Sequence, residues 1–495
     1  MKHIYLIFFI IILVSCGAER PPRMEPSSDL PPVFPDYTGV TVPSAIAPLN
    51  FSVDGARKVY VIAKGANGGE IEASGSYADF DVDAWHELTA KNVGADITFD
   101  VYAKDRDGKW LRYAPFNVHV SSRPLDEWGL TYRRIAPGYE VYSKMGIYQR
   151  DLSNFDEYAI IENTMTNGQC YNCHTSNRTN PKEFVFHVRG EHGATLVSKS
   201  GQCTWLKANN DALGGSMVYP YWHPSGRYCA FSTNQTRQGF HISGDKRLEV
   251  FDLSSDLLVY DTEKNEILTD SIVSKSDWSE NTPSFSPDGK WLYFTTCLQK
   301  QYPMEYKDEQ YNLCRIAFDA DTGGFGEKVD TLFDAVAMNK SVTWPRPSYD
   351  GRYILFTLSD YGYFSIWHKE ADQWLLDLNS GEARPLDEIN SDDADSFHNW
   401  SDNSAWLVFT SRRHDGLYSH LYLSCIDDSG NFSKPFLLPQ KNPLEYYSES
   451  LYSFNTPDFT KTRVDFDSEA AVAAILSDER VPASVGNLHN SKYQK

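Results

Sequence analysis

The strongest pattern in the chain is a repeated switch from a polar turn to a run of alternating aromatic and aliphatic positions. It occurs as "YPYWHPSGRYCAFST" (219–233), "NTPSFSPDGKWLYFTT" (281–296), "TWPRPSYDGRYILFTL" (343–358) and "FHNWSDNSAWLVFTSRR" (397–413). Pro with Asp or Ser starts a type I turn, Gly accepts the positive φ, and the strand that follows alternates its faces. Second strand pairs such as "LLVYDTEKNEILTD" and "DQWLLDLNSGEARPL" lie between the copies. The spacing, roughly 55 to 62 residues, belongs to propellers or solenoids. Nothing at either end reads as a capping repeat, which favours a closed ring. A divergent copy in "EFVFHVRGEHGATLVSKSGQCTWLK" (183–207) and closing strands near 450–465 bring the total to about six blades within 182–465.

Upstream, residues 49–121 carry period-two patches, among them "KVYVIA", "GEIEAS", "ADFDVDAW" and "DITFDVYAKD", which predict a small immunoglobulin-like β-sandwich. The fold class expected is therefore all-β. Residues 122–181, dense in Tyr and Arg but without clean periodicity, read as a connector between the two domains, and 466–495 as a C-terminal tail. The apolar run from Ile4 to Val14 is too short for a mature span and reads as a signal peptide over 1–16. Its end, Leu13-Val14-Ser15-Cys16, resembles a lipobox, which implies lipidation of Cys16; Gly17 in place of Asp points to the outer membrane. Residues 17–48 are proline-rich and predict a semi-extended tether.

Charge narrows the partners. A net charge of −21 excludes nucleic acid, which needs basic patches to displace counterions, and disfavours an anionic membrane surface. Membrane contact is then expected through the lipid anchor only, with an envelope protein as partner. Trp, Tyr and Phe at 14% suit β architecture. Among the eight cysteines, Cys297 and Cys314 close and open adjacent strand patterns, so a disulfide between them is expected if their Cα atoms fall within about 7 Å.

The motif that carries chemistry is "NGQCYNCHTSN" (167–177). Cys170, Cys173 and His174 spell C-x-x-C-H, the spacing that lets two thiols take the vinyl groups of a c-type haem while the next imidazole reaches its iron. A redox C-x-x-C, a zinc half-site and a short structural disulfide stay open as alternatives. His187, His192 and His223 are candidates for the sixth iron position, with Met145, Met165 and Met217 also near in sequence. Arg133, Arg134, Arg150 and Arg189 are candidates to pair with haem propionates. No G-x-S-x-G or H-E-x-x-H is present.

Two resemblances extend this reading. "SFSPDGKWLYFTT" resembles the repeat of TolB-type β-propellers, which implies the fold more than an activity. The succession "YRRIAPGYE", "GIYQRDL", "CYNCH", "FHVRGEHG" and "YWHPSGRYCAFSTN" resembles Bacteroidetes lipoproteins in which a TolB-like propeller carries a CxxCH. That resemblance supports a haem-bearing envelope lipoprotein and implies architecture more than function. The role expected, electron transfer or redox sensing, follows instead from a single tethered, covalent haem c with no visible catalytic partner, which most simply passes one electron. The other class is a non-enzymatic propeller module for a protein or glycan partner, and a peroxidase-type enzyme would need an open iron site.

Overall fold

In the computed structural model, residues 20–136, 144–207, 209–210, 215–243, 246 and 248–486 are described. The expected signal peptide and Cys16 lie outside them. No helix of the described residues is long and apolar enough to cross a membrane.

The fold is all-β and propeller-like, built on six sheets that follow one another along the chain and are antiparallel apart from one added strand in the third. Sheet I pairs Gly129–Ile135, Gly146–Asp151 and Glu157–Glu162, and sheet II pairs Cys170–Asn177, Asn180–Arg189, Ala194–Lys199 and Gln202–Lys207. Sheet III is led by Gly215–Trp222, sheet IV by Trp278–Phe285, sheet V by Ser341–Pro347 and sheet VI by Asp395–Trp400. The leading strand of sheet I is Ser453–Thr460, which arrives from the far end of the chain and pairs with Gly129–Ile135. Each leading strand packs against the next, and Ser453–Thr460 touches both its neighbours, so the leading strands form a ring.

The repeat turns form as their residues require. In sheet IV the Ser286 hydroxyl donates to Asp288 (2.6 Å) and accepts from the Trp291 N–H (3.0 Å), while Gly289 takes φ +73°. Sheet V repeats this with Ser348, Asp350 and Tyr353.

Four expectations are corrected. The connector 122–181 is three strands of sheet I and the leading strand of sheet II; its partner strand lies some 300 residues downstream, beyond the reach of any local pattern. The tether 17–48 is not free along its length, because Tyr37, Val40 and Val42 are fully buried and Thr41–Val42 pairs with Phe116–Val120. The sandwich over 49–121 is one five-stranded sheet with a side hairpin, its other layer being the helix Val82–Lys91 and a two-stranded ribbon of Val33–Phe34 with Ser52–Val53. The helix replaces an expected strand: Asp81 caps the N–H of Ala84 (3.0 Å), and Trp85, Leu88 and Thr89 fall on one buried face. The tail from 466 also packs, since the helix Ser468–Ser477 buries Ile475, and Ser484–Val485 adds a strand to sheet III.

The Cys297–Cys314 disulfide is absent. Cys314 stands opposite Phe294, and the two thiols belong to different apolar clusters. All seven described cysteines are free thiols.

Candidate functional site

All six leading strands share one irregularity. Each carries a bulge at which a non-glycine residue takes positive φ: Cys173 (+51°), Tyr219 (+52°), Thr282 (+45°), Trp344 (+56°), Phe397 (+48°) and Thr456 (+47°). Such a conformation costs about 1–3 kcal/mol per residue, and the ring holds it six times over. The next residue is proline in four strands, Pro220, Pro283, Pro345 and Pro457, and histidine in two, His174 and His398. Proline suits a bulge because it brings no N–H to the interrupted ladder. The last two residues of the CxxCH are therefore a copy of the repeat's own bulge dipeptide.

The rings of the two histidines turn into the seams between sheets. His398 Nε2 sits 3.0 Å from the carbonyl of Leu355, on the second strand of sheet V. His174 lies against Thr131, on the equivalent strand of sheet I, and 6.1 Å from the Phe184 ring. Neither nitrogen of His174 makes a hydrogen bond of ordinary geometry. Burial pulls His174 down to about 4 and His398 to about 3, so both are neutral imidazoles at pH 7.

The two motif thiols face elsewhere. Cys170 and Cys173 line a cavity of about 430 Å³ at the end of the ring where the leading strands begin. Arg133 donates from Nε to the Tyr171 carbonyl (2.8 Å) and from a terminal nitrogen to Cys170 Sγ (3.2 Å). Burial pushes the Cys173 thiol up, against the pull of the Arg189 guanidinium. Tyr219 and Phe397, both bulge residues, form part of the wall, and Trp344 stacks edge-on against them at 6.1 and 5.0 Å. The long hairpin of Tyr228–Phe240 and Leu248–Asp261 supplies Thr236, Gln238, Leu248 and Val250. Its arm is clasped outside the cavity by Tyr361 on Glu249 (2.6 Å) and Lys246 on Glu370 (3.1 Å).

None of the candidate sixth ligands lines this cavity. His187 is buried on its strand with Nδ1 3.0 Å from the Thr195 hydroxyl, and burial pulls it to about 3. His192 pairs with Asp478 at 2.8 Å. His223 takes over the serine's role in its turn, with Nδ1 2.8 Å from Ser225 Oγ and Nε2 3.0 Å from the Gly289 carbonyl. Met145 and Met217 are core residues. Of the expected propionate partners, Arg133 and Arg189 line the cavity; Arg134 pairs with Glu157, and Arg150 is buried on carbonyls including that of Pro439 (2.9 Å). The residues that the motif could not reveal are Tyr219, Tyr363, Trp367 and Phe397. Aligning the six bulge dipeptides would have placed Tyr219 and Phe397 beside Cys173.

As placed, both motif cysteines line the cavity, whereas the His174 ring lies in the seam and is not in position to ligate an iron held there. Among the described residues, no group of three or more His, Cys, Asp or Glu is arranged to hold a metal ion.

No protein-family model matches the sequence, and neither does any curated protein. Among solved structures, a puromycin-hydrolyzing peptidase of Mycobacterium tuberculosis is similar at 12% identity and a TM-score of 0.36, over 84% of this chain and 57% of that one. Kuenenia stuttgartiensis hydrazine synthase is similar at 10% identity and a TM-score of 0.43, over 69% of this chain and 48% of that one. Apo prolyl oligopeptidase B from Galerina marginata is similar at 11% identity and a TM-score of 0.36, over 62% and 44%. The chain thus spans about half the length of these structures.

Proposed function

We propose that this chain is a six-bladed propeller of TolB type acting as a non-enzymatic binding module of the cell envelope, tethered to the outer membrane through lipidated Cys16. The cavity beside Cys170 and Cys173 is its ligand site. The observation that carries this reading is the position of that cavity: at one end of a closed ring, walled by bulge residues of several sheets and of a size that small ligands fill. The six sheets, each a blade, and the late strand Ser453–Thr460 that closes the ring support the blade count.

A second reading, one covalent haem c for electron transfer or redox sensing, is favoured by the sharing of one cavity between both motif sulfurs, Arg133 and Arg189. It requires His174 to leave its seam. A single preparation separates the two: the full chain made in a host with lipoprotein processing and haem-maturation machinery, weighed intact and examined by pyridine haemochrome. The binding module predicts a lipid increment, no covalent haem band, and a small molecule released on denaturation. A covalent band abolished by Cys170→Ala or Cys173→Ala overturns it in favour of haem, and a mature mass without the lipid increment removes the anchor.

A further inference from the structure

The cavity is electrostatically out of keeping with the chain around it. The protein carries a net charge of −21, yet among the described residues the cavity wall holds Arg133, Arg189 and Arg412 and no Asp or Glu. Two of these guanidiniums are engaged within the protein. Arg412 stacks 4.0 Å from the Trp367 ring and donates to the Leu417 carbonyl, and Arg133 holds the Tyr171 carbonyl and Cys170 Sγ.

Arg189 is different. It is exposed into the cavity, and its titratable neighbours are Cys173, Tyr219, Cys170 and Tyr363, with no hydrogen bond or ion pair to any described residue. A guanidinium that faces open cavity space without a carboxylate partner keeps its fork of donors free for an incoming anion. Among the described residues no carboxylate meets it, so the Arg189 fork is what the cavity offers to an anion. Tyr219 and Tyr363 neighbour Arg189, and the same wall carries Phe364, Ile366 and Phe397 together with polar Asn172, Gln238 and Asn455.

Resting on the binding-module reading, we propose that the cavity takes a small molecule with an anionic head, carboxylate or sulfonate, on an aromatic or aliphatic body. The head accepts from the Arg189 fork and from the terminal nitrogen of Arg133 that no described residue uses. The body lies against Tyr219, Phe364 and Phe397.

The test uses two fluorescent probes of similar body and different charge, 8-anilinonaphthalene-1-sulfonate and the uncharged N-phenyl-1-naphthylamine, titrated into the full chain. The sulfonate should bind at one site about tenfold or more tighter than the neutral dye, as a charge-assisted hydrogen bond predicts. Arg189→Gln should cost the sulfonate about tenfold and move the neutral dye by less than about twofold, while Arg189→Lys retains part of the preference. Thr236→Trp, which fills the cavity, should weaken both dyes and so locate them. An Arg189→Gln protein that binds the sulfonate as the wild type does overturns the proposal, and so does one that loses both dyes in equal measure. Failure of the wild type to bind either dye removes instead the reading of the cavity as a ligand site.

Discussion

The strands Cys170–Asn177 and Asp395–Trp400 are the same object built twice. Both carry a positive-φ residue followed by histidine, where the other four leading strands carry proline. Both histidine rings pack toward the second strand of the preceding sheet, and burial keeps both neutral. One strand reads as a haem motif only because cysteines occupy its bulge and the position three residues before it. The comparison teaches that a short motif can be partly written by the repeat that contains it: His174 has a structural counterpart in His398, whereas Cys170 and Cys173 do not.

The largest expected effect concerns the link between the two strands. Asp458, on the strand that closes the ring, accepts from Thr175 Oγ1 (3.1 Å) and the Ser176 N–H (2.9 Å) on one side and from Asn399 Nδ2 (2.7 Å) on the other. Asp458→Ala orphans all these buried donors and should cost about 3 kcal/mol or more in denaturant unfolding. Next, His174→Ala and His398→Ala should each cost about 2–4 kcal/mol as seam-filling truncations, and replacement by Pro at either position should cost less than Ala. A much larger loss for His398 than for His174 would break the equivalence of the two strands.

A smaller effect is the pH dependence. His174 and His398 have folded values of about 4 and 3 against an ordinary value of 6.5, so their contribution is present above pH 6.5 and lost as pH falls toward about 4 for His174 and about 3 for His398. Asp458, pushed by burial up to about 6 from 3.8, works the other way: its penalty grows as pH rises from about 4 to 6. The double variant H174P/H398P should flatten the acid limb of a stability–pH curve, and an unchanged limb would show that neither ring is buried neutral. The smallest effect leaves stability untouched. In the native protein, iodoacetamide should modify exposed Cys203 and half-buried Cys170, and spare Cys229, Cys297, Cys314 and Cys425, as peptide mass mapping reads out.

Legibility followed the range of the interactions. The Ser/Pro/Asp/Gly turns were visible because their hydrogen bonds close within five residues, as Ser286 does with Asp288 and Trp291. The helix Val82–Lys91 was missed although its signals were local: the Asp81 cap and the spacing of Trp85, Leu88 and Thr89 competed with an alternating reading of "ADFDVDAW". Sheet I was not legible, because its leading strand is supplied by residues 453–460. At the site, the sequence names Arg133, Arg134, Arg150 and Arg189 alike, and only the fold separates the first and last, which reach the cavity with Cys170 and Cys173, from the other two; the aromatic wall arrives from sheets III, V and VI.

By itself the sequence determined what neighbouring residues settle among themselves: strand and turn alternation, the period of the repeat, the all-β class and the acidic surface. Tertiary structure decided which strands meet across the whole chain and which way each motif side chain turns. Ring closure and the facing of a bulge depend on partners hundreds of residues away, and no local spacing encodes whether an imidazole enters a seam or a cavity.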